Sequence, residues 1–103
     1  MNDLTQQQQN LENNSQDYDL QIIKTSLTLA FSRTGCEFDE QLARNIFNDV
    51  VEAFPTITID EFTKALKNGG LGMYGKTYKL TSQEVCIWIR NYLNDTRFKA
   101  AYQ

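Results

Sequence analysis

The sequence predicts an all-α fold, a small bundle of about four helices. Apolar residues recur at helical spacing in four segments, each bounded by residues that typically begin or end helices. Two of the segments also open with a capping box, a Thr followed three residues later by a Glu. Because 103 residues suffice for one domain only, we expect residues 20–103 to form a single helical domain.

The first two helices are bounded by a cap residue at one end and a helix-stopping residue at the other. The first follows Asp19, an N-cap residue, and ends before Gly35, which favours a helix stop. The second follows Asp39 and ends near Phe54, because Pro55 disfavours a helical residue before it. Their predicted core faces are Leu20, Ile23, Leu27, Ala30 and Phe31 in the first, and Leu42, Ile46, Phe47, Val50 and Phe54 in the second.

The third and fourth helices each begin at a capping box. The boxes are Thr58 with Glu61 and Thr81 with Glu84. We expect the pair Gly69-Gly70 to close the third helix. The predicted core faces are Phe62, Ala65 and Leu66 in the third helix, and Val85, Trp88, Ile89, Tyr92 and Leu93 in the fourth.

Charge is unevenly distributed along the chain. Residues 1–19 are acidic and rich in Gln and Asn, with few large apolar groups, so we expect a flexible tail. The alternative for this segment is an arm that folds on contact with a partner. Residues 56–103 carry seven basic and four acidic side chains, although the whole chain has a net charge of −3. This balance argues against a general nucleic-acid coat protein but permits a local phosphate-binding patch.

Several classes of function are excluded by composition. The chain has no His, which excludes imidazole catalysis and His-ligated metal sites. It has no apolar run of the roughly 20 residues needed to span a membrane. Cys36 and Cys86 are too isolated for a zinc site, and we expect both to be reduced, Cys36 in a loop and Cys86 beside the core; a disulfide is the alternative. We therefore expect no cofactor and no metal.

The segment Gly70–Thr77 matches both G-x-x-x-x-G-K-[ST] and G-x-G-x-x-G. Phosphate binding by either motif requires a strand before the glycines, and in the first motif a helix begins at the Lys-Thr pair. Here a capped helix precedes the glycines, and Tyr78-Lys79-Leu80 separate the string from the next helix. We therefore predict that the string is a chance match and that the chain is not an enzyme.

The same loop is the first candidate binding site. Glycines within residues 69–75 would let backbone amides converge on an anion. The alternative is a helix end followed by a connecting loop whose tyrosines pack inward. The candidate side chains are Lys67, Lys76 and Lys79 for contacts with phosphate, and Tyr74 and Tyr78 for stacking on bases.

The outer face of the fourth helix is the second candidate. Arg, Asn and Gln side chains read base edges, so the third and fourth helices resemble a variant helix-turn-helix. The connection from Gly69 to Leu80 is longer than the usual turn, and Ile87 and Phe98 within the stripe suggest a protein partner. A solvated helix face is the third interpretation. The stripe consists of Gln83, Arg90, Asn94 and Arg97.

Residues 60–92 also resemble a known group of proteins. The matching residues are Asp60-Glu61-Phe62-x-x-Ala65, Gly72-x-Tyr74-Gly75-Lys76-x-Tyr78, Leu80-Thr81 and Val85-x-x-Trp88-Ile89-x-x-Tyr92. They resemble the C-terminal module of small phage and prophage proteins from replication modules, similar to replisome organisers or helicase loaders. The resemblance implies a non-catalytic replication accessory in the cytoplasm of the host bacterium. Because the nucleotide-binding domain of ATP-hydrolysing loaders is missing, any loading would be passive.

We therefore expect a phage-type accessory protein that binds DNA, a replication partner or both. Binding would use residues 67–79 and the last helix, where Arg90, Asn94 and Arg97 contact a groove or a partner. The alternative is a phage protein–protein module, either an inhibitor of a host enzyme or a virion component. It would act through its acidic first half and tail.

Overall fold

The computed structural model describes residues 19–101, with side chains described for residues 19–95. This part of the chain contains four helices and no strand, which confirms the predicted all-α class. The expected tail at residues 1–19 lies, apart from Asp19, outside the described residues. Within them, no helix combines the length and the apolar character needed to cross a membrane. The helices are α1 (19–33), α2 (Glu40–Ala53), α3 (Ile59–Gly70) and α4 (Ser82–Ala101).

Helix α1 ends as the sequence predicts. Gly35 has a φ of 72°, in the left-handed region, and its amide donates to the Ser32 carbonyl at 3.0 Å. The Cys36 amide donates to the Phe31 carbonyl at 2.8 Å. These two bonds form a Schellman motif, which satisfies the last carbonyls of the helix. At the other end, Asp19 is already helical, so its predicted role as the N-cap is wrong.

The other three helices begin at the predicted caps. The Asp39 carboxylate caps α2 by accepting a backbone amide hydrogen bond. Thr58 and Glu61 exchange both bonds of a capping box, at 3.1 and 3.0 Å. In α4, the Thr81 hydroxyl accepts from the Glu84 amide at 3.2 Å. Only this bond of the second predicted capping box is present, because the Glu84 carboxylate accepts from the Thr77 hydroxyl instead. Each cap pairs an amide that a helix start otherwise leaves open, which stabilises the helix by about 1 kcal/mol.

One hydrophobic core joins the four helices. Phe31 of α1, Ile46 of α2 and Trp88 of α4 are each at most 2% exposed. Phe47 of α2 and Phe62 of α3 meet edge to face, with ring centroids 6.2 Å apart. Phe31, Phe62 and Trp88 are buried as their spacing predicts, whereas the other predicted aromatic core residues are partly buried against them. The prediction that Leu20 lies in the core is wrong, because its side chain is 50% exposed near the start of α1.

Gly69 allows α3 to approach α4 closely. A Cβ atom at this position would lie 1.9 Å from Cδ2 of Trp88, well inside contact distance. Helix α3 ends at Gly70, as the pair Gly69-Gly70 predicts. The turn is made by Gly72, which has a φ of 84°. Gly69 is required by packing rather than by backbone conformation.

Replacing Gly69 by Ala should lower the free energy of unfolding by about 1–3 kcal/mol, because an added methyl in a filled core forces its neighbours to move. Gly70→Ala is the matched control. Its Cβ would meet only the flexible Arg33 side chain, at 3.2 Å, and Ala favours a helix over Gly by up to about 1 kcal/mol. We therefore expect the control to be neutral or stabilising. Urea unfolding followed by circular dichroism measures both, and equal values would contradict the role assigned to Gly69.

Candidate nucleic-acid interface

Residues 71–81, the connecting loop, join α3 to α4 and contain most of the candidate side chains. Backbone hydrogen bonds fix the start of this loop. The hydrogen bonds that the Gly72 and Met73 amides donate to carbonyls of α3 form a second Schellman motif, equivalent to the one at the end of α1. These amides close the turn, so the expectation that they converge on an anion is wrong. The amides of Leu71, Gly72, Met73 and Gly75 all donate to backbone carbonyls, at 3.0–3.1 Å.

Three side chains anchor the rest of the loop. Tyr74 is half-buried against the core, and its hydroxyl accepts a hydrogen bond from Asn68 Nδ2 at 3.2 Å. Thr77 Oγ1 donates to Glu84 Oε1 at 3.1 Å. Leu80 is buried in the core. The loop is therefore tied to α3, to α4 and to the core at separate points along its length.

The geometry of Gly70–Thr77 differs from that of a phosphate-binding P-loop. A P-loop follows a strand, and its Lys and Ser/Thr open the next helix, where the hydroxyl binds magnesium. Here Gly70 is the last residue of α3, and α4 begins only at Ser82. The Thr77 hydroxyl is hydrogen-bonded to the Glu84 carboxylate. The string is part of a helix end and a connection between two helices.

Tyr78 is the most exposed large apolar side chain among the described residues, with 81% of its surface accessible. Lys76 Nζ lies 5.1 Å from the centroid of its ring, within the range of a cation–π contact. The structure thus separates the two candidate tyrosines. Tyr74 is held against α3, whereas Tyr78 presents an aromatic face and an adjacent positive charge to solvent.

The lysines of the site keep their charge uncompensated. Lys67, in the last turn of α3, and Lys79, near the end of the connecting loop, are exposed like Lys76. In the part of the chain whose side chains are described, no carboxylate forms an ion pair with any of the three. Two other cations are neutralised by a carboxylate one turn earlier: Arg44 by Glu40 and Lys64 by Asp60, both at 3.0 Å.

The outer face of α4 is exposed. Gln83, Arg90 and Asn94 all lie on the solvent side of the helix. Ile87 lies among them and is 38% exposed. Arg97 belongs to the helical backbone but is outside the residues whose side chains are described. This face can donate and accept hydrogen bonds and also offers a small apolar contact.

Both cysteines are free thiols at the predicted places, Cys36 in the segment after α1 and Cys86 on α4. Burial raises the pKa of the Cys86 thiol, and Asp49 adds to the shift, while Arg90 opposes it. A catalytic thiol requires the opposite shift, toward the thiolate. Cys86 is therefore less reactive near neutral pH than an ordinary surface thiol.

Sequence patterns do not single out two further features. One is Arg33, whose side chain lies over Gly70 from the end of α1. The other is a cleft of about 780 Å³ between α1 and α2, lined by the apolar side chains of Leu20, Phe38 and Phe47 and by Lys24. Both depend on two segments meeting in space, so no local pattern in either segment reveals them.

No family model, curated protein or solved structure matches this chain. The resemblance of residues 60–92 to phage replication proteins therefore stays an expectation drawn from those residues, and function is argued from the geometry of the interface.

The two tyrosines should respond differently to loss of the hydroxyl. Tyr74→Phe should lower the free energy of unfolding by about 0.5–1.5 kcal/mol, because Asn68 loses its acceptor in a partly buried place. Tyr78→Phe removes the same atom from an exposed ring and should change stability by less than about 0.5 kcal/mol. Chemical denaturation measures both variants. A loss of similar size in the two would show that Tyr74 has no special anchoring role.

Proposed function

We propose that this chain is a non-catalytic, phage-type replication accessory that binds nucleic acid, a replication partner or both, through the connecting loop and the outer face of α4. The observation that carries the proposal is the exposed Tyr78 ring with the Lys76 ammonium 5.1 Å from its centroid. An aromatic platform beside uncompensated cations is the combination that binds single strands with little sequence preference.

Each group in the loop has a separate role in this proposal. A base stacks on Tyr78, a contact worth about 1–3 kcal/mol in proteins of this kind. The phosphates on either side of that base meet Lys76 and Lys79, with Lys67 extending the positive surface onto α3. Every lysine–phosphate contact releases a counterion, so affinity falls steeply as salt rises. Tyr74 supports the loop through Asn68 rather than stacking on a base.

The α4 face extends the interface beyond the loop. The Arg90 guanidinium and the Asn94 amide carry the hydrogen-bonding groups that recognise base edges or polar protein surfaces. Arg97 continues the same stripe in the sequence. Exposed Ile87 in the middle of this face suits a protein more than a nucleic acid. This is the reason for including a replication partner. The resemblance of residues 60–92 to phage replication proteins implies that the protein acts in the cytoplasm of the host bacterium.

The non-catalytic part of the proposal rests on the Gly70–Thr77 string. Gly70 lies within α3, and the Thr77 hydroxyl is bound to Glu84. The string then supplies one lysine side chain, Lys76, to a ligand and does not hydrolyse a nucleotide. ATP turnover that disappears in Lys76→Ala would overturn this part.

Replacing Lys76 and Lys79 by Ala together should weaken binding to a fluorescent single-stranded oligonucleotide. Log K falls linearly with the logarithm of the salt concentration, and each phosphate contact on a single strand contributes about 0.7 to the magnitude of this slope. The double variant should therefore reduce the magnitude of the salt slope by about 1.4. Anisotropy titrations from low to physiological salt measure both quantities, with a duplex of the same sequence in parallel. Unchanged circular dichroism and unfolding curves would show that the fold is intact.

The control removes the same charge elsewhere. Lys24 and Arg44 lie at the α1–α2 cleft, away from the connecting loop, and Lys24→Ala with Arg44→Ala should retain nearly the full salt slope. Equal losses of affinity and salt slope in the two double variants would show that binding depends on net charge and not on the connecting loop. Absence of binding by the wild type at low salt would refute the nucleic-acid proposal.

A second candidate function is favoured by the α1–α2 cleft, which lies in the acidic half of the chain. Its apolar lining suits an apolar helix face of a partner protein. Phe38 is 48% exposed, so Phe38→Asp should leave the fold intact and abolish capture of such a partner. Capture that survives Phe38→Asp but is lost with Lys76→Ala and Lys79→Ala would assign the partner to the connecting loop.

A further inference from the structure

The end of α1 lies alongside the connecting loop. A Cβ atom on Gly70 would be 3.2 Å from Arg33 Cδ and 3.3 Å from Arg33 Cβ, so the aliphatic part of Arg33 covers this glycine. A second contact joins the same regions, because Cys36 Sγ lies 4.0 Å from the carbonyl oxygen of Tyr78. Two separate contacts therefore place the last turn of α1 beside the loop that carries the stacking ring.

Arg33 has the chemistry of a phosphate ligand. Its side chain is exposed, and none of the carboxylates described in the structure forms an ion pair with it. A guanidinium stays charged at any physiological pH and presents a planar set of donors that matches two phosphate oxygens. A lysine at the same place would offer only a point charge.

We infer that Arg33 is a further phosphate-binding residue of the interface and that Gly70 positions it. The inference rests on the proposed nucleic-acid function and adds a residue from a helix that the proposal does not otherwise use. Gly70 leaves the space in which the Arg33 stem lies, and this places the stem at the end of α3, where the connecting loop begins. The surface so formed draws on α1, α3 and the loop.

If Arg33 serves only to stabilise the C-terminal end of α1, its replacement has a different expected result. A cation in the last turn of a helix interacts favourably with the partial negative charge of the helix C-terminus. If that were its role, removing the charge would lower the melting temperature and leave nucleic-acid binding unchanged. Affinity, salt slope and melting temperature must therefore be measured on the same variants.

The test compares Arg33→Gln with Lys24→Gln. Both positions are exposed on α1 and lose one positive charge, but Lys24 lies at the α1–α2 cleft. Arg33→Gln should weaken binding to the single-stranded oligonucleotide roughly three- to tenfold and lower the salt slope by about 0.7. Lys24→Gln should change affinity less than about twofold, since exposed charges beyond the Debye length are screened.

Two further variants test geometry rather than charge. Arg33→Lys keeps the charge and should retain the salt slope while losing part of the affinity, because the bidentate contact is lost. Gly70→Ala keeps Arg33 but displaces its stem, and it should weaken binding in the same direction while the melting temperature stays the same or rises. Unchanged affinity in Gly70→Ala would refute the positioning role of this glycine.

The outcomes separate the inference from the proposal on which it rests. A wild type that does not bind refutes both. A wild type that binds, with equal affinities for Arg33→Gln and Lys24→Gln, refutes only the assignment of Arg33. A lower melting temperature in Arg33→Gln with unchanged affinity and salt slope assigns the residue to the helix end and likewise overturns the inference.

Discussion

The close contact between Gly69 and Trp88 determines the arrangement of the second half of the molecule. The indole is fully buried, and its Nε1 has no hydrogen-bond partner among the described residues, so the ring is held by packing alone. Because a side chain at residue 69 would overlap the ring, α3 can lie against α4 only with glycine there. Helix α3 continues through Gly69 to Gly70, and the left-handed turn follows at Gly72. The position of the connecting loop therefore follows from the core.

The backbone around this loop does not favour anions. Helices α1 and α3 both end in Schellman motifs, and the Arg33 side chain that lies over Gly70 brings these ends together. A helix C-terminus carries partial negative charge, the reverse of the helix N-terminus that holds phosphate in glycine-rich nucleotide sites. The turn amides are also already paired. In the proposed interface, attraction for phosphate therefore comes from side chains and not from the turn amides.

The helices and their caps could be predicted because their signals act within a few residues. The side chains of Asp39, Thr58 and Thr81 each accept a hydrogen bond from a backbone amide in the first turn of the helix that follows. Gly35 likewise acts locally, by making the turn that ends α1. Predictions that needed a distant partner failed or were incomplete. The role of Gly69 depends on Trp88 from another helix, and the difference between the two tyrosines depends on Asn68. Arg33 was missed because its neighbour in space is far from it in the sequence.

The Gly70–Thr77 string shows how the requirements of a fold can produce a sequence that matches a nucleotide-binding motif. Gly70 leaves room for the Arg33 stem, Gly72 supplies the left-handed turn, Gly75 has a φ of 108°, and Thr77 is bonded to Glu84. Each of these letters is explained by packing or by backbone conformation, so their match to the pattern requires no nucleotide. The side chains that stay exposed here include Leu71, Met73 and Lys76 within the string and Tyr78 just after it. Lys76 and Tyr78 stabilise no helix end and fill no part of the core. Exposing a large ring to water forfeits its burial, and the stacking of a base on Tyr78 that we propose would restore part of it.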